Sequence, residues 1–204
     1  MESHEFEAIV REYRPRLTRY VAGLVGDPGH AEDVTQEALA RVHRGLPALQ
    51  APEARTTWIF RIASNVAFDH LKSRAARESS RTASLDADAD GPGPSALPDD
   101  ERSAEDRLEQ SEMAACLQQY IHRLSPPLRA SLLLRDLEGL SEQAAAEALG
   151  CSVAAVKVRT HRARKALRAM LQAECSFYDD ARGVFRCDPG DSRREPPARG
   201  EPGR

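Results

Sequence analysis

Apolar residues recur at helical spacing along most of the chain, and the gaps between them place the helices. Phe6, Ile9, Val10, Tyr13, Leu17, Tyr20, Val21 and Leu24 step by threes and fours and predict one long amphipathic helix. Gly26-Asp27-Pro28-Gly29 ends it. A second helix is expected from about His30 to Arg44, with Ala31, Val34, Ala38 and Val42 on its apolar side. A third is expected from about Arg55 to Arg77, with Trp58, Ile59, Ile62, Ala63, Val66 and Leu71 as its core. The pattern resumes near Ala104, where Leu108, Met113, Cys116, Leu117, Tyr120 and Ile121 form a stripe. Leu124-Ser125-Pro126-Pro127 turns the chain, and Pro starts a further helix carrying Leu128, Leu132, Leu133 and Leu137.

The pattern then tightens into a helix-turn-helix between Leu140 and Leu171. Ser141 suits an N-cap, and Ala144, Ala145, Ala146 and Leu149 make a close-packing face. Gly150 suits the left-handed residue that ends a helix, and Ser152 suits the next N-cap. On the second helix Val156, Thr160, Ala163 and Leu167 face inward, while Lys157, His161, Arg164 and Arg168 lie nearly opposite. From Lys157 to Arg168 there are six Lys/Arg and no acid. A solvated helix normally carries acids three or four residues from its cations. An unbalanced basic stripe behind this punctuation points to phosphate contact.

Charge sharpens the organisation. The chain of 204 residues has a net charge of −3, which by itself says little about nucleic acid. Residues 79–104 hold six acids against two bases, lack aromatic residues and are rich in Ser, Asp, Ala, Pro and Gly. Such a segment reads as a flexible acidic linker. The expected architecture is all-α: two small helical domains, residues 1–78 and 105–172, joined by that linker. No apolar leader or membrane-length apolar run stands out, so a cytoplasmic location without membrane insertion is expected. No glycine-rich phosphate loop, metal-ligand cluster or nucleophile signature suggests an enzyme, and no catalytic residues or firm cofactor are expected.

Residues 173–204 form an extension of different character, expected to be largely disordered after residue 188. Ser176-Phe177-Tyr178 and Val184-Phe185-Arg186 flank Asp179–Gly183 and read as a small β-hairpin with a five-residue loop. Pairing Tyr178 with Val184 sets Phe177 opposite Phe185 and Cys175 opposite Cys187, all on one face. Two cysteines so placed suit a redox-sensitive disulfide or a soft metal completed by outside ligands; the plain alternative is two free thiols. Cys116 and Cys151 read as inert small apolar residues.

Three blocks in order, AEDVTQEALARVHR (31–44), TWIFRIASNVAFDHLKSR (57–74) and the stretch 124–168, resemble the extracytoplasmic-function sigma factors of the bacterial sigma-70 family. The resemblance implies a region 2-like first domain and a region 4-like second domain. It implies that Asp33, Gln36 and Glu37, with nearby Glu32, face the clamp helices of the largest subunit of core RNA polymerase. Read without the family, that acidic face is an ordinary solvated one. Asn65, Asp69, Lys72 and Arg74 match positions near the −10 element, where melting needs base-edge, stacking and phosphate contacts. Asp69 equally suits an intrahelical pair with Lys72 or a neighbouring Arg. Trp58 suits a stacking platform, although its spacing with Ile62 and Val66 indicates core. Lys157, Arg159, His161, Arg162 and Arg164, with Arg135 from the preceding helix, match positions touching the −35 element. Arg159 lies nearer the apolar stripe, where a buried-edge ion pair is the other reading. The implied partners are core polymerase through its clamp helices and flap, promoter DNA, and an anti-sigma factor unless the extension takes over that control. The competing reading is a free-standing helix-turn-helix regulator that binds DNA as a dimer.

Overall fold

The computed structural model describes residues 2–49, 51–80, 104–179 and 185–189. Most of the expected linker and everything after residue 189 lie outside them. The described chain is helical apart from one small hairpin, as the apolar periodicity predicts. α1 spans Glu2–Val25, α2 Pro28–Gly45 and α3 Arg55–Ser80, with two short 3₁₀ turns between α2 and α3. Asp27 caps α2 by accepting from the His30 amide at 2.9 Å, and Pro28 opens it. The three helices pack mutually through Ile9, Leu17, Val21 and Leu24 of α1, Val34, Ala38 and Val42 of α2, and Ile59 and Ala63 of α3. Trp58 is partly buried against this core and seats on Gly45, where an added Cβ would stand 2.8 Å from its ring.

α3 contributes more to the core than its stripe suggests. Phe60 and Ser64, both off that stripe, are fully buried. The Phe60 ring meets Tyr20 edge-on at 5.5 Å. Ser64 donates to the Phe60 carbonyl at 2.7 Å, which leaves Tyr20 Oη to donate to Ser64 Oγ at 2.7 Å. α3 packs on α1 and α2 on one side and on a later helix on the other, so its buried surface is too wide to show as a single stripe.

The second segment comprises α4 (Ala104–His122), α5 (Pro126–Leu132), α6 (Glu142–Leu149) and α7 (Val153–Glu174). The helix expected through Leu137 is α-helical only to Leu132. It widens into a π turn over Leu133–Leu137, closed by Glu138 N to Leu133 O at 3.0 Å. Ser141 and Ser152 accept from the Ala144 and Ala155 amides as N-caps. Gly150 adopts φ 59°, ψ 40°, the left-handed closure that the turn requires. Val156, Thr160 and Ala163 are buried as read.

β1 (Cys175–Asp179) starts directly after α7 and pairs antiparallel with β2 (Phe185–Pro189). The hairpin exists, but its register differs by two residues from the sequence reading. Phe177 faces Cys187, Tyr178 faces Arg186, and Cys175 faces Pro189. An even shift preserves which residues share a face, so Cys175 and Cys187 stay on one side as diagonal rather than direct partners.

The two helical segments do not stand apart. α1 packs on α4, α5 and the π turn, and α3 packs on α6, giving one continuous buried core. Arg129, 7% exposed, lies at the junction. Its guanidinium donates to the Leu24 carbonyl at 2.7 Å and to the His122 and Leu124 carbonyls at 3.0 and 3.1 Å. The cation therefore rests on the carbonyl ends of α1 and α4, where helix dipoles favour positive charge.

Candidate nucleic-acid interface

The acidic face of α2 is built by the alternation that buries Ala31, Val34, Thr35, Ala38 and Leu39 and turns Glu32, Asp33, Gln36 and Glu37 outward. Two of its acids are locally balanced by arginines. Glu32 pairs with Arg14 at 3.0 Å, and Glu37 accepts from Arg41 at 2.8 Å with Arg44 at 3.5 Å. The hydrogen bond from Arg41, with the charge of Arg44 beyond it, holds the Glu37 carboxyl below its ordinary range. Among the described residues Asp33 and Gln36 have no such partner. The arginine neighbours Arg41 and Arg44 follow Glu37 at helical spacing, a legible signal in the sequence.

Asn65, Asp69, Lys72 and Arg74 are all exposed on α3. The first three line a groove of about 500 Å³ together with Arg41 and Phe68. Its opposite wall comes from the second segment: Pro127, Leu149 and Arg159. Arg74 lies further along α3, outside that lining. Arg159 is thereby separated from the other basic residues of α7. It is half-buried and turned to the α3 groove, and no acid holds it in a buried-edge ion pair among the described residues.

A second groove, of about 300 Å³, collects Arg135, Lys157, His161 and Arg164 beside Glu142. Arg162 is exposed on α7 outside both grooves. The basic stripe, unbalanced within its own helix, finds acids from the preceding elements. Lys157 pairs with Glu142 at 3.2 Å. Arg164 grips the Asp136 carboxylate through both forks, Nε to Oδ2 at 2.9 Å and Nη2 to Oδ1. That bidentate bond raises the Arg164 pKa further above its ordinary value. Arg135 is turned inward and donates to the Leu140 carbonyl, bracing the turn before α6. The sequence missed Asp136 and Glu142 because their positions opposite α7 depend on the π turn and the α6–α7 angle, not on helical spacing.

Chemically, these surfaces offer cations, an amide and a few paired carboxylates on exposed helix faces. They suit binding to polyanions and to other proteins. Among the described residues no group of His, Cys, Asp and Glu is arranged to hold a metal ion, and no helix is long and apolar enough to cross a membrane.

Comparison with known proteins gives these surfaces a context. The family models for sigma-70 region 2 and sigma-70 region 4 match residues 9–77 and 114–167, so α2 and nearly all of α3 fall in the first and most of α7 in the second. The RNA polymerase sigma-H factor of Pseudomonas aeruginosa is 33% identical over 171 residues, covering 84% of this chain and 88% of its own. The ECF RNA polymerase sigma factor SigC of Mycobacterium tuberculosis is 36% identical over 166 residues, covering 80% and 81%. The fold is also that of the sigma factor RpoE solved with the anti-sigma factor NepR from Bartonella quintana, with a TM-score of 0.65, 20% identity, and coverage of 82% of this chain and 97% of that one. With both regions matched in order, and relatives aligned along most of their length, the chain belongs to the sigma-70 family as an extracytoplasmic-function RNA polymerase sigma factor, acting in the initiation of transcription.

Proposed function

We propose that α2 is the contact to core polymerase, α3 the reader and melter of the −10 element, and α7 the docking helix for the −35 element. Residues 1–78 and 105–172 then act as two units joined through residues 79–104. Asp33 and Gln36, with Glu32 and Glu37 released from their arginines, meet the basic clamp helices. Asn65, Asp69, Lys72 and Arg74 hold single-stranded promoter DNA. Arg135, Lys157, Arg159, His161, Arg162 and Arg164 grip the upstream duplex, while the rest of the second unit sits on the flap. The chain brings no catalytic group of its own; polymerase performs nucleotidyl transfer. An anti-sigma factor is the further partner of this reading.

The observation that carries the proposal is the groove shared by Asn65, Asp69, Lys72 and Arg159. Elements about 25 base pairs apart are separated by roughly 85 Å of B-DNA at about 3.4 Å per base pair. Side chains that line one groove cannot read both. The packed form is therefore a resting one, and the units separate on polymerase, where tethering raises their effective concentration at the promoter.

Run-off transcription with purified core polymerase on genomic promoter fragments tests this reading. New, factor-dependent start sites are expected. Tight binding to a palindromic duplex without polymerase, and no new start sites, would establish the dimeric regulator instead.

A further inference from the structure

Three of the four cysteines converge at one corner of the second segment. Cys175 opens β1 immediately after α7 and is 9% exposed. Its thiol donates to Tyr120 Oη at 3.4 Å. Cys116 lies one turn before Tyr120 on α4, on the same helix face. Cys187 lies opposite Phe177, which puts it on the same face of the hairpin as Cys175, one diagonal step away. Cys175 raises the pKa of both the Cys116 and the Cys187 thiol, which places the three in one neighbourhood. Arg123 secures the corner: its Nη1 donates to both Glu174 carboxylate oxygens, at 2.7 and 2.8 Å, and its guanidinium covers the Tyr120 ring at 5.5 Å. Cys151 lies elsewhere, in the turn between α6 and α7.

We propose that this corner is a site of reversible thiol oxidation, in which Cys175 forms a disulfide with Cys187 across the hairpin and Cys116 is its alternative partner. The oxidant class is a hydroperoxide, with hydrogen peroxide the simplest member. The half-buried Cys187 attacks first: its thiolate displaces one peroxide oxygen, the O–O bond breaks, water leaves and a sulfenic acid forms. The Cys175 sulfur then attacks that sulfenic sulfur, the S–O bond breaks, and a second water carries off the remaining proton. Two thiols lose two electrons and two protons, and peroxide becomes two waters.

The surroundings make this a slow, high-threshold site. Burial, followed by the neighbouring Cys175, Cys116 and Asp188, pushes the Cys187 thiol up to about 11. Burial and Cys175 push the Cys116 thiol up as well. The reactive thiolate is scarce at neutral pH, so oxidation accelerates by about tenfold per pH unit on the approach to that value. A Cys116–Cys175 bond would tie α4 to the end of the basic helix; a Cys175–Cys187 bond would staple the hairpin.

The full chain is treated with hydrogen peroxide, digested without reductant and mapped by mass spectrometry. Cys175 is expected in disulfides with Cys187 and, to a lesser extent, with Cys116, while Cys151 stays a free thiol and reductant restores the rest. Cys187→Ser is expected to move the linkage to Cys116–Cys175, and Cys175→Ser to abolish intramolecular linkage. Oxidation of Cys151 as fast as the others, linkage only between molecules, or an undiminished linkage in Cys175→Ser would each overturn the proposal. Should Cys175→Ser fail to fold, the Cys187→Ser variant decides alone, because a missing Cys116–Cys175 bond contradicts the shared-pivot geometry.

Discussion

Arg16 Nε donates to Glu138 Oε2 at 2.9 Å, joining α1 to the end of the π turn across 122 positions of sequence. The Glu138 side chain is 1% exposed and that of Arg16 29%. The guanidinium also lies over the Tyr13 and Phe60 rings at 5.3 and 5.4 Å. Glu138 Oε1 is buried without a partner among the described residues, so the arginine is what holds this carboxylate in the interior. Replacing Arg16 strands the buried Glu138 carboxylate, at about 3 kcal/mol, the low end for breaking a fully buried pair because Arg16 is partly solvated. Arg16→Met is therefore expected to lower the denaturant midpoint strongly, and Arg16→Met with Glu138→Gln to recover part of the loss. A double-mutant cycle in guanidinium chloride measures the coupling.

Arg129 makes the complementary link on the other side of the same junction. Among the described residues its charge is met by carbonyls alone, and burial pushes its pKa below the ordinary arginine value. Arg129→Met leaves three carbonyl ends without their donor, at a loss of at least about 3 kcal/mol. The expected consequence is separation of the two segments before either unfolds. Small-angle scattering should show a larger radius of gyration for this variant while circular dichroism retains most of the helix signal.

The junction also responds to pH. His122 Nε2 lies 3.2 Å from the Ala22 carbonyl, and the ring backs onto Gly26. Burial, followed by the charge of Arg129, lowers its pKa below 6.5. The folded state thus favours the neutral ring, whose contribution is complete above about pH 6.5 and is lost as pH falls through the folded value. His70, lowered by burial and then by His30, Arg74 and Arg77, works in the same direction. The unfolding midpoint is expected to fall between pH 7 and pH 5. His122→Gln, which retains a donor for Ala22, should flatten that dependence.

What was legible in the sequence follows the range of the forces involved. The caps at Ser141 and Ser152, the turn at Gly150 and the inward face of α7 are local, and they fold as their spacing indicates. The hairpin was legible as a hairpin, because alternation fixes the face; its register was not, because a two-residue slip keeps every side chain on the same side. Phe60 and Ser64 escaped because a helix covered on two sides has no single stripe. The packing of the segments escaped for a different reason. It rests on Arg16, Glu138, Arg129 and Gly23, residues that look like ordinary surface or helix positions until a partner arrives from over 100 residues away. Gly23 shows this well: a Cβ there would stand 2.9 Å from Leu133, so its value lies in a close approach that the sequence does not announce.

The acids facing α7 make the last prediction. Asp136 holds Arg164 bidentately and Glu142 holds Lys157, so both cations are occupied. On the proposed docking, phosphate contact replaces these pairs, so the pairing opposes binding. Asp136→Asn with Glu142→Gln removes the competition without removing a cation. The double variant is expected to bind duplex DNA more tightly than wild type at low salt. Arg162 has no role in either groove, so Arg162→Ala should weaken binding while leaving stability unchanged. If Arg162 touches one phosphate, its loss should reduce the slope of log K against log salt by about 0.9. Fluorescence anisotropy of a labelled duplex, titrated at several salt concentrations, measures both. An acid-removal variant that binds no better than wild type would mean that Asp136 and Glu142 do not compete with DNA for Arg164 and Lys157, and that the docking surface lies elsewhere on α7.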